Sequence, residues 1–211
     1  KTSIALQLIL SLAVEQGVPC GFFSLEMSRH RVHLRLLSML SEIPLERVAR
    51  GNFTNEQKPR FHEASKRLQA APIIIDDRSW LNLAQVKAKT RRWVREHKIK
   101  ALFGDYLQRM STDGGRKSAN LSEIHALNVT GITNMAKDLG LCNVWLAQLN
   151  RECEKRHPPI PQLHDLRESG SLEQDADVVM FIYREDYYRP KNEAKDNKAQ
   201  LIVAKWRDGS T

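Results

Sequence analysis

Cysteine is scarce in this chain, and its spacing excludes a disulfide-stapled scaffold. The three cysteines, Cys20, Cys142 and Cys153, form no CxxC pair, and any disulfide scheme leaves one of them over. Small secreted domains normally carry an even, closely spaced set. We therefore expect a protein of the reducing cytoplasm.

Long apolar runs are also missing. No run approaches the about 20 residues that a membrane-spanning helix requires, so we expect no membrane partner. The apolar segment 4–14 has no charged region ahead of it beyond Lys1 and no small-residue cleavage site after it, unlike a signal peptide. Its spacing predicts a core helix instead.

Acidic residues are outnumbered, which makes a polyanion such as nucleic acid a candidate partner. The chain has 33 Lys and Arg against 25 Asp and Glu, a net charge of +8. Residues 1–110 hold 19 basic and 10 acidic side chains, whereas residues 111–211 hold 14 and 15. Much of the excess lies on one predicted helix, where a single acid, Glu96, opposes six bases: Lys87, Lys89, Arg91, Arg92, Arg95 and Lys98.

Short apolar strands alternate with amphipathic helices, a pattern typical of an α/β fold with a mostly parallel sheet flanked by helices. The predicted strands are 21–25, 73–75, 101–105, 143–149, 178–184 and 201–205, and the predicted helices are 4–13, 29–40, 45–49, 54–68, 83–97 and 120–139. The last two strands have no clear helix between them, so we expect them to pair antiparallel at one edge. A length of 211 residues suits one domain. We interpret the four tryptophans, Trp80, Trp93, Trp145 and Trp206, as packing residues.

Polar residues follow the predicted strands, where parallel sheets bind ligands. They are Glu26, Asp76, Asp105, Gln148 and Arg184. Any one of them can be a simple cap or turn residue, but five together indicate a site at this edge.

Lys1-Thr2 opens an apolar helix, as does the end of a GxxxxGK[ST] phosphate-binding loop. In such a loop the lysine contacts the β- and γ-phosphates and the threonine hydroxyl binds Mg²⁺. Asp105 matches a Walker B carboxylate that supports the metal. Glu26 ends the neighbouring strand, where a carboxylate can deprotonate the attacking water.

Three further side chains suit phosphate chemistry. An amide at Gln148 can sense the γ-phosphate. Lys205 and Arg207 are two residues apart, so both point to the same side of an extended segment and form a candidate cationic clamp.

Several motifs together resemble the C-terminal motor domain of DnaB-type replicative helicases. In chain order they are Lys1-Thr2, Ser24-Leu25-Glu26-Met27-Ser28, Gly104-Asp105-Tyr106-Leu107-Gln108, Gln148-Leu149-Asn150-Arg151, Asp165-Leu166-Arg167-Glu168-Ser169-Gly170 and Lys205-Trp206-Arg207. The resemblance covers essentially the whole chain, and the combination is far more specific than any single motif.

The resemblance implies a RecA-like ATPase that assembles as a hexameric ring, binds ATP and Mg²⁺ between subunits and threads single-stranded DNA through its channel. It also implies action at the replication fork in the cytoplasm, with a primase and a helicase loader as partners. By position, the resemblance implies that Lys1 and Thr2 bind phosphate and Mg²⁺, that Asp105 supports the metal and that Glu26 activates the attacking water. It also implies that Gln148 senses the γ-phosphate and that Arg35 lies near the nucleotide. Lys205 and Arg207 would reach the ATP of the neighbouring subunit as trans fingers.

The same resemblance implies a DNA-holding loop that contains Arg167, Glu168 and Gly170. Phosphate-only contact suits a motor that must traverse every sequence. The polar loop 111–120, with Arg116 and Lys117, is a candidate second DNA contact.

Some features depart from the family. The P-loop glycines and their strand do not precede Lys1, so we expect a truncated motor domain without the N-terminal collar and linker helix. Gly104 stands where an apolar residue is usual, which predicts weaker packing, and Ser210 replaces a frequent proline. Two alternatives stay open: a RecA- or RadA-like recombination ATPase, and a non-catalytic ring-interaction module. Glu26 and the 165–170 motif favour the helicase over the recombinase.

Overall fold

The structure is a computed structural model that describes residues 1–110, 121–189 and 196–209, without the side chains of 121, 122 and 167–171. It divides into two compact units. The first is formed by the described residues of Lys1–Lys117 and Asn134–Ala147, and the second by those of Ser118–Thr133 and Gln148–Thr211. That the whole chain acts as one domain stays a prediction.

A parallel sheet organises the first unit. Its strands are β1 (Cys20–Ser24), β2 (Ile73–Asp76), β3 (Ala101–Asp105) and β4 (Cys142–Trp145), in the order β2-β1-β3-β4. Every residue of β1 and β3 is buried, as continuous apolar runs in the middle of a parallel sheet require. Ser24 lies opposite Asp105, so the carboxyl ends of β1 and β3 meet.

Helices surround the strands at bounds close to those expected. They are α1 (Thr2–Ile9), which continues as a π-helical stretch (Leu10–Glu15), α2 (Arg29–Ser41), α3 (Leu45–Arg50), α4 (Gln57–Ala70), α5 (Leu83–His97) and α6 (Leu121–Leu139). The apolar stripe of α1 packs on the sheet, where Leu6 and Ile9 join Phe22 and Phe103 in one buried cluster. That packing fixes the start of α1 relative to the strands.

Two predicted helix-start signals are present. Asn82 and Gln85 form a capping box, with the Gln85 N–H donating to the Asn82 side chain at 2.8 Å. Thr54 and Gln57 exchange the equivalent pair of hydrogen bonds, although α4 itself begins only at Gln57.

A neighbouring indole fills the space above Gly104, where the sequence predicts weaker packing. A Cβ atom at Gly104 would lie 2.3 to 2.6 Å from three ring carbons of Trp145. The glycine and the tryptophan are adjacent in register between β3 and β4. They therefore form a complementary small-and-large pair.

The second unit contains the remaining strands, β5 (Val178–Tyr183) and β6 (Gln200–Trp206), after a short helix α7 (Gly170–Asp175). The strands pair antiparallel, as expected. Within the described residues they form a two-stranded sheet of their own rather than edge strands of the parallel sheet.

The interpretation of the tryptophans is wrong for Trp80, which is 74% exposed. Trp93 is buried and stacks on Phe23, with ring centroids 4.6 Å apart. Trp206 is half-exposed, with Gly209 against its ring. Among the described helices, none is long and apolar enough to cross a membrane.

Candidate functional site

Thr2 and Asp105 meet at the carboxyl end of β3. The Thr2 hydroxyl donates to Asp105 Oδ2 at 2.6 Å, although 103 positions separate the two residues. Asp105 is the last residue of β3, and Thr2 is the first residue of α1. The packing of α1 on the sheet thus holds an alcohol against a carboxylate.

The other carboxylate oxygen of Asp105 suits a cation. Asp105 is 1% exposed, and its Oδ1 is buried without a hydrogen-bond partner among the described residues. An unpaired buried carboxylate oxygen is costly, and a hard cation satisfies it. Magnesium retains several waters and takes only one or two protein oxygens, so a Thr2 hydroxyl and an Asp105 carboxylate fit Mg²⁺. In the described part of the chain, no cluster of three or more His, Cys, Asp or Glu offers a full protein cage.

Lys1 lies over the ring of Tyr106, with Nζ 3.6 Å from the ring centroid. Burial lowers the pKa of the Lys1 side chain, while the charges of Asp105 and Glu26 act in the opposite direction. The ammonium therefore sits in a partly desolvated place beside two carboxylates. A cation held there attracts phosphate strongly, because screening by water is reduced.

Glu26 and Arg35 complete this group in the first unit. Glu26 follows the end of β1 and is exposed, and the adjacent Leu25 N–H donates to the Asp105 carbonyl at 2.8 Å. Arg35 lies close enough to Lys1 for its charge to act there. The structure thus brings together Lys1, Thr2, Glu26, Arg35 and Asp105.

Lys205 and Arg207 point to the same side of β6 and its end, as predicted. Lys205 Nζ donates to the carbonyl of Glu173 at 2.6 Å, and Arg207 donates to the carbonyl of Gln174 at 3.0 Å. Arg207 also pairs with Asp177 at 2.6 Å, where both side chains are about half-exposed or more. The two cations therefore rest on the carbonyl end of α7, which favours positive charge.

The remaining predicted residues are placed less completely. Gln148 is exposed and belongs to the second unit, three residues beyond β4, which ends earlier than expected. The expected DNA-holding loop is a 3-10 segment (Leu163–Ser169) that runs into α7, and the side chains of Arg167, Glu168 and Gly170 are outside the description. Arg116 and Lys117 lie outside the described residues altogether.

Sequence reasoning missed the anchor of that 3-10 segment. Asp165 is buried, forms an ion pair with Arg156 and accepts the Gln162 N–H at 2.8 Å, and its own carbonyl accepts the Asn150 N–H at 3.0 Å. Burial alone would raise the pKa of Asp165, but the hydrogen bonds from Arg156 and Gln162 outweigh it and lower the pKa. No local spacing points to Arg156. For Tyr106, the other residue missed, the only signal is its position directly after Asp105.

Comparison with known proteins identifies a family whose sequence pattern matches this chain. The family described as "DnaB-like helicase C terminal domain" matches residues 1–211. A replicative DNA helicase DnaB from Leifsonia xyli subsp. xyli is 38% identical over 211 residues, which is 100% of this chain and 46% of the relative. The corresponding protein from Rickettsia felis is 40% identical over 206 residues, covering 90% of this chain and 41% of the relative. The chain thus spans less than half the length of these relatives.

Two solved structures share the fold. One, described as an ATPase domain, matches with a TM-score of 0.90 at 30% identity, over 100% of this chain and 74% of that one. A DnaB-like replicative helicase, solved to describe its interactions with primase, matches with a TM-score of 0.89 at 29% identity, over 99% of this chain and 50% of that one. The predicted RecA-like α/β fold is confirmed by these likenesses.

Proposed function

Because the chain belongs to the DnaB-like helicase C-terminal domain family, we propose that it is the ATP-hydrolysing motor of a replicative helicase that moves along single-stranded DNA. The observation that carries this proposal is the buried Oδ1 of Asp105, which has no hydrogen-bond partner among the described residues, on the same carboxylate that accepts the Thr2 hydroxyl. A site built only for stability would satisfy both carboxylate oxygens from within the chain.

Each residue of the first unit has a distinct task in this proposal. Thr2 and Asp105 hold Mg²⁺, which when bound neutralises charge that develops on the phosphates. Lys1, whose ammonium lies over the ring of Tyr106, binds the β- and γ-phosphates of ATP. Glu26 accepts a proton from the attacking water, and its exposed position leaves room for that water.

The second unit supplies the trans cations. Arg207 and Lys205 are proposed to reach the ATP of a neighbouring subunit in a hexameric ring, where an arginine finger contributes about 10³ to 10⁵ in rate. Their present partners support this role. The pair of Arg207 with Asp177 is half-exposed and therefore weak, so the guanidinium can leave it at little cost.

Contact with DNA is assigned to the segment that follows Asp165. The buried Asp165 fixes the start of this segment, and its carbonyl accepts the N–H of Asn150, two residues after the proposed sensor Gln148. We propose that loss of the γ-phosphate is transmitted along this short path to Arg167, Glu168 and Gly170. Arg116 and Lys117 are proposed as a second contact.

The partners and the place of action follow from the family and are proposals for this chain. Single-stranded DNA, a primase and a helicase loader are the proposed partners, and the cytoplasmic replication fork is the proposed location. The recombination-ATPase alternative is not favoured by the relatives, which are named replicative helicases. The non-catalytic module is separated from the motor only by measuring hydrolysis.

The test compares Glu26→Gln with Glu63→Gln, a matched change at an exposed position on α4. Both are made in a protein that carries the glycine-rich P-loop residues ahead of Lys1, and DNA-stimulated ATP hydrolysis is measured. We expect Glu26→Gln to reduce hydrolysis by about 10² to 10⁴ without weakening ATP binding, and Glu63→Gln to change neither.

Two results would contradict the proposal. Normal hydrolysis in Glu26→Gln would remove the residue from the reaction. Absence of hydrolysis in the unmutated protein, under conditions in which it forms rings, would favour the non-catalytic module.

A further inference from the structure

Helix α5 carries a row of cations that the proposed nucleotide site does not use. Lys87, Arg91 and Arg95 follow one another at spacings of four residues on α5, and Lys98 follows its last residue, His97, as the C-terminal cap. Residues at these spacings lie on one face of a helix. From Lys87 to Arg95 the row covers two four-residue steps, or about 12 Å at 1.5 Å per residue.

These cations are largely uncompensated. Within the described residues, no carboxylate forms an ion pair with Lys87, Arg91 or Lys98. Arg95 is paired only with the adjacent Glu96, at 3.1 Å, and its side chain remains 77% exposed. Arg91, Arg95 and Lys98 are therefore exposed positive charges, Lys87 is partly exposed, and one acid lies beside them.

Another lysine of the same helix, in contrast, is a buried cation with a structural partner. Lys89 is turned inward, forms an ion pair with Asp76 and has a side chain that is only 14% exposed. Arg78 shares that carboxylate at 2.9 Å. In the described part of the chain, the cations of the row have no such buried partner.

The opposite face of α5 contains all of its buried apolar anchors. Val86 and Trp93 are buried, and the Trp93 ring lies against Gly21 and Phe23. The outer face beside the row offers only the small exposed side chains of Ala84 and Ala88. Protein interfaces usually depend on a buried aromatic or aliphatic centre, whereas binding to phosphates needs only a row of cations.

We propose that the outer face of α5, defined by Lys87, Arg91 and Arg95 together with the cap Lys98, is a further DNA-binding surface that holds the phosphate backbone without reading bases. It rests on the proposed function only in the choice of DNA as the polyanion. The surface belongs to the first unit, whereas Arg167, Glu168 and Gly170 belong to the second. Its binding energy is electrostatic and falls with added salt.

The experiment measures the affinity of the chain for a fluorescent 20-nucleotide oligo-dT by anisotropy, without nucleotide, over a series of salt concentrations. Arg91→Gln/Arg95→Gln removes two charges from the row. Lys58→Gln/Lys66→Gln removes two from exposed positions on α4 and is the matched control. Arg91→Lys/Arg95→Lys keeps the charge.

Loss of two phosphate contacts makes the negative slope of log Kobs against log salt shallower by about 1.4 for a single strand. If the electrostatic contribution vanishes near 1 M, that slope predicts about 25-fold weaker binding at 0.1 M salt. We expect this loss in Arg91→Gln/Arg95→Gln alone, with the control and the lysine variant close to the unmutated chain. Far-UV circular dichroism establishes that the variants are folded.

Equal affinity and slope in Arg91→Gln/Arg95→Gln and the control would overturn the inference. Poly-glutamate that displaces the oligonucleotide as effectively, per negative charge, as unlabelled DNA does would also overturn the inference, because the surface would then accept an acidic protein equally well. ATP hydrolysis by Arg91→Gln/Arg95→Gln distinguishes failure of this inference from failure of the proposed function. Normal hydrolysis with unchanged DNA affinity refutes only the α5 surface.

Discussion

Replacing Gly104 by alanine places a methyl group inside the space occupied by the Trp145 indole. The new Cβ would lie 2.3, 2.4 and 2.6 Å from three ring carbons, whereas ordinary contacts begin at 3.4 Å. The ring must retreat by about 1 Å, and such overpacking costs about 1 to 3 kcal/mol of unfolding free energy. Replacing the half-buried Trp145 ring by leucine also costs about 1 to 3 kcal/mol of unfolding free energy, less than truncating a fully buried tryptophan.

The double variant Gly104→Ala/Trp145→Leu relieves the clash, so we expect it to be more stable than the sum of the single losses predicts, by at least about 1 kcal/mol. Urea unfolding is followed by circular dichroism at 222 nm, because the indole itself is altered. Additive losses, or a Gly104→Ala variant within about 0.5 kcal/mol of the unmutated chain, would refute the reasoning that the glycine exists to accommodate the ring.

Two further perturbations test the second unit. Arg207→Ala should abolish hydrolysis in rings while leaving ATP binding largely intact, and mixed rings should lose the activity of unmutated neighbours; a mutant subunit that cannot bind ATP at all would contradict the trans assignment. Arg156→Leu should destabilise the fold by about 2 kcal/mol, less than the about 3 to 5 of a fully buried pair, because 28% of the Arg156 side chain is exposed. Because the pKa of Asp165 is lowered in the folded chain, its ionised form stabilises the fold above pH about 4, the ordinary pKa of an aspartate, and this stabilisation is lost as the pH falls through the folded-state pKa. The urea midpoints of Arg156→Leu and of the unmutated chain should therefore converge in acid. A gap between the midpoints that does not change with pH would refute this origin.

The order of strands and helices could be predicted because its signals are local. The run 101–105 is apolar and ends in Asp105, and the structure has β3 at the same bounds. Asn82 and Gln85 are three residues apart, and they form the expected capping box. Signals of this kind need no knowledge of distant residues.

The contacts of the site could not be predicted in the same way. Thr2 and Asp105 are 103 positions apart, and the match of each to a phosphate- or metal-binding motif, not any periodicity, suggested that they meet. Arg156 and Tyr106 act through partners that no periodicity reveals, since tertiary packing alone decides which side chains face them. The exposed Trp80 shows the converse error, because apolar character does not guarantee burial.

Binding of an ATP analogue with and without Mg²⁺ tests most directly the claim that Asp105 holds the metal of a hydrolytic site. The comparison is Asp105→Asn against Asp138→Asn, a matched change at an exposed position on α6, in the protein that carries the P-loop residues. We predict that Mg²⁺ no longer strengthens binding in Asp105→Asn, while metal-free binding is unchanged and Asp138→Asn responds normally. An Asp105→Asn variant that keeps the full Mg²⁺ response would contradict the claim.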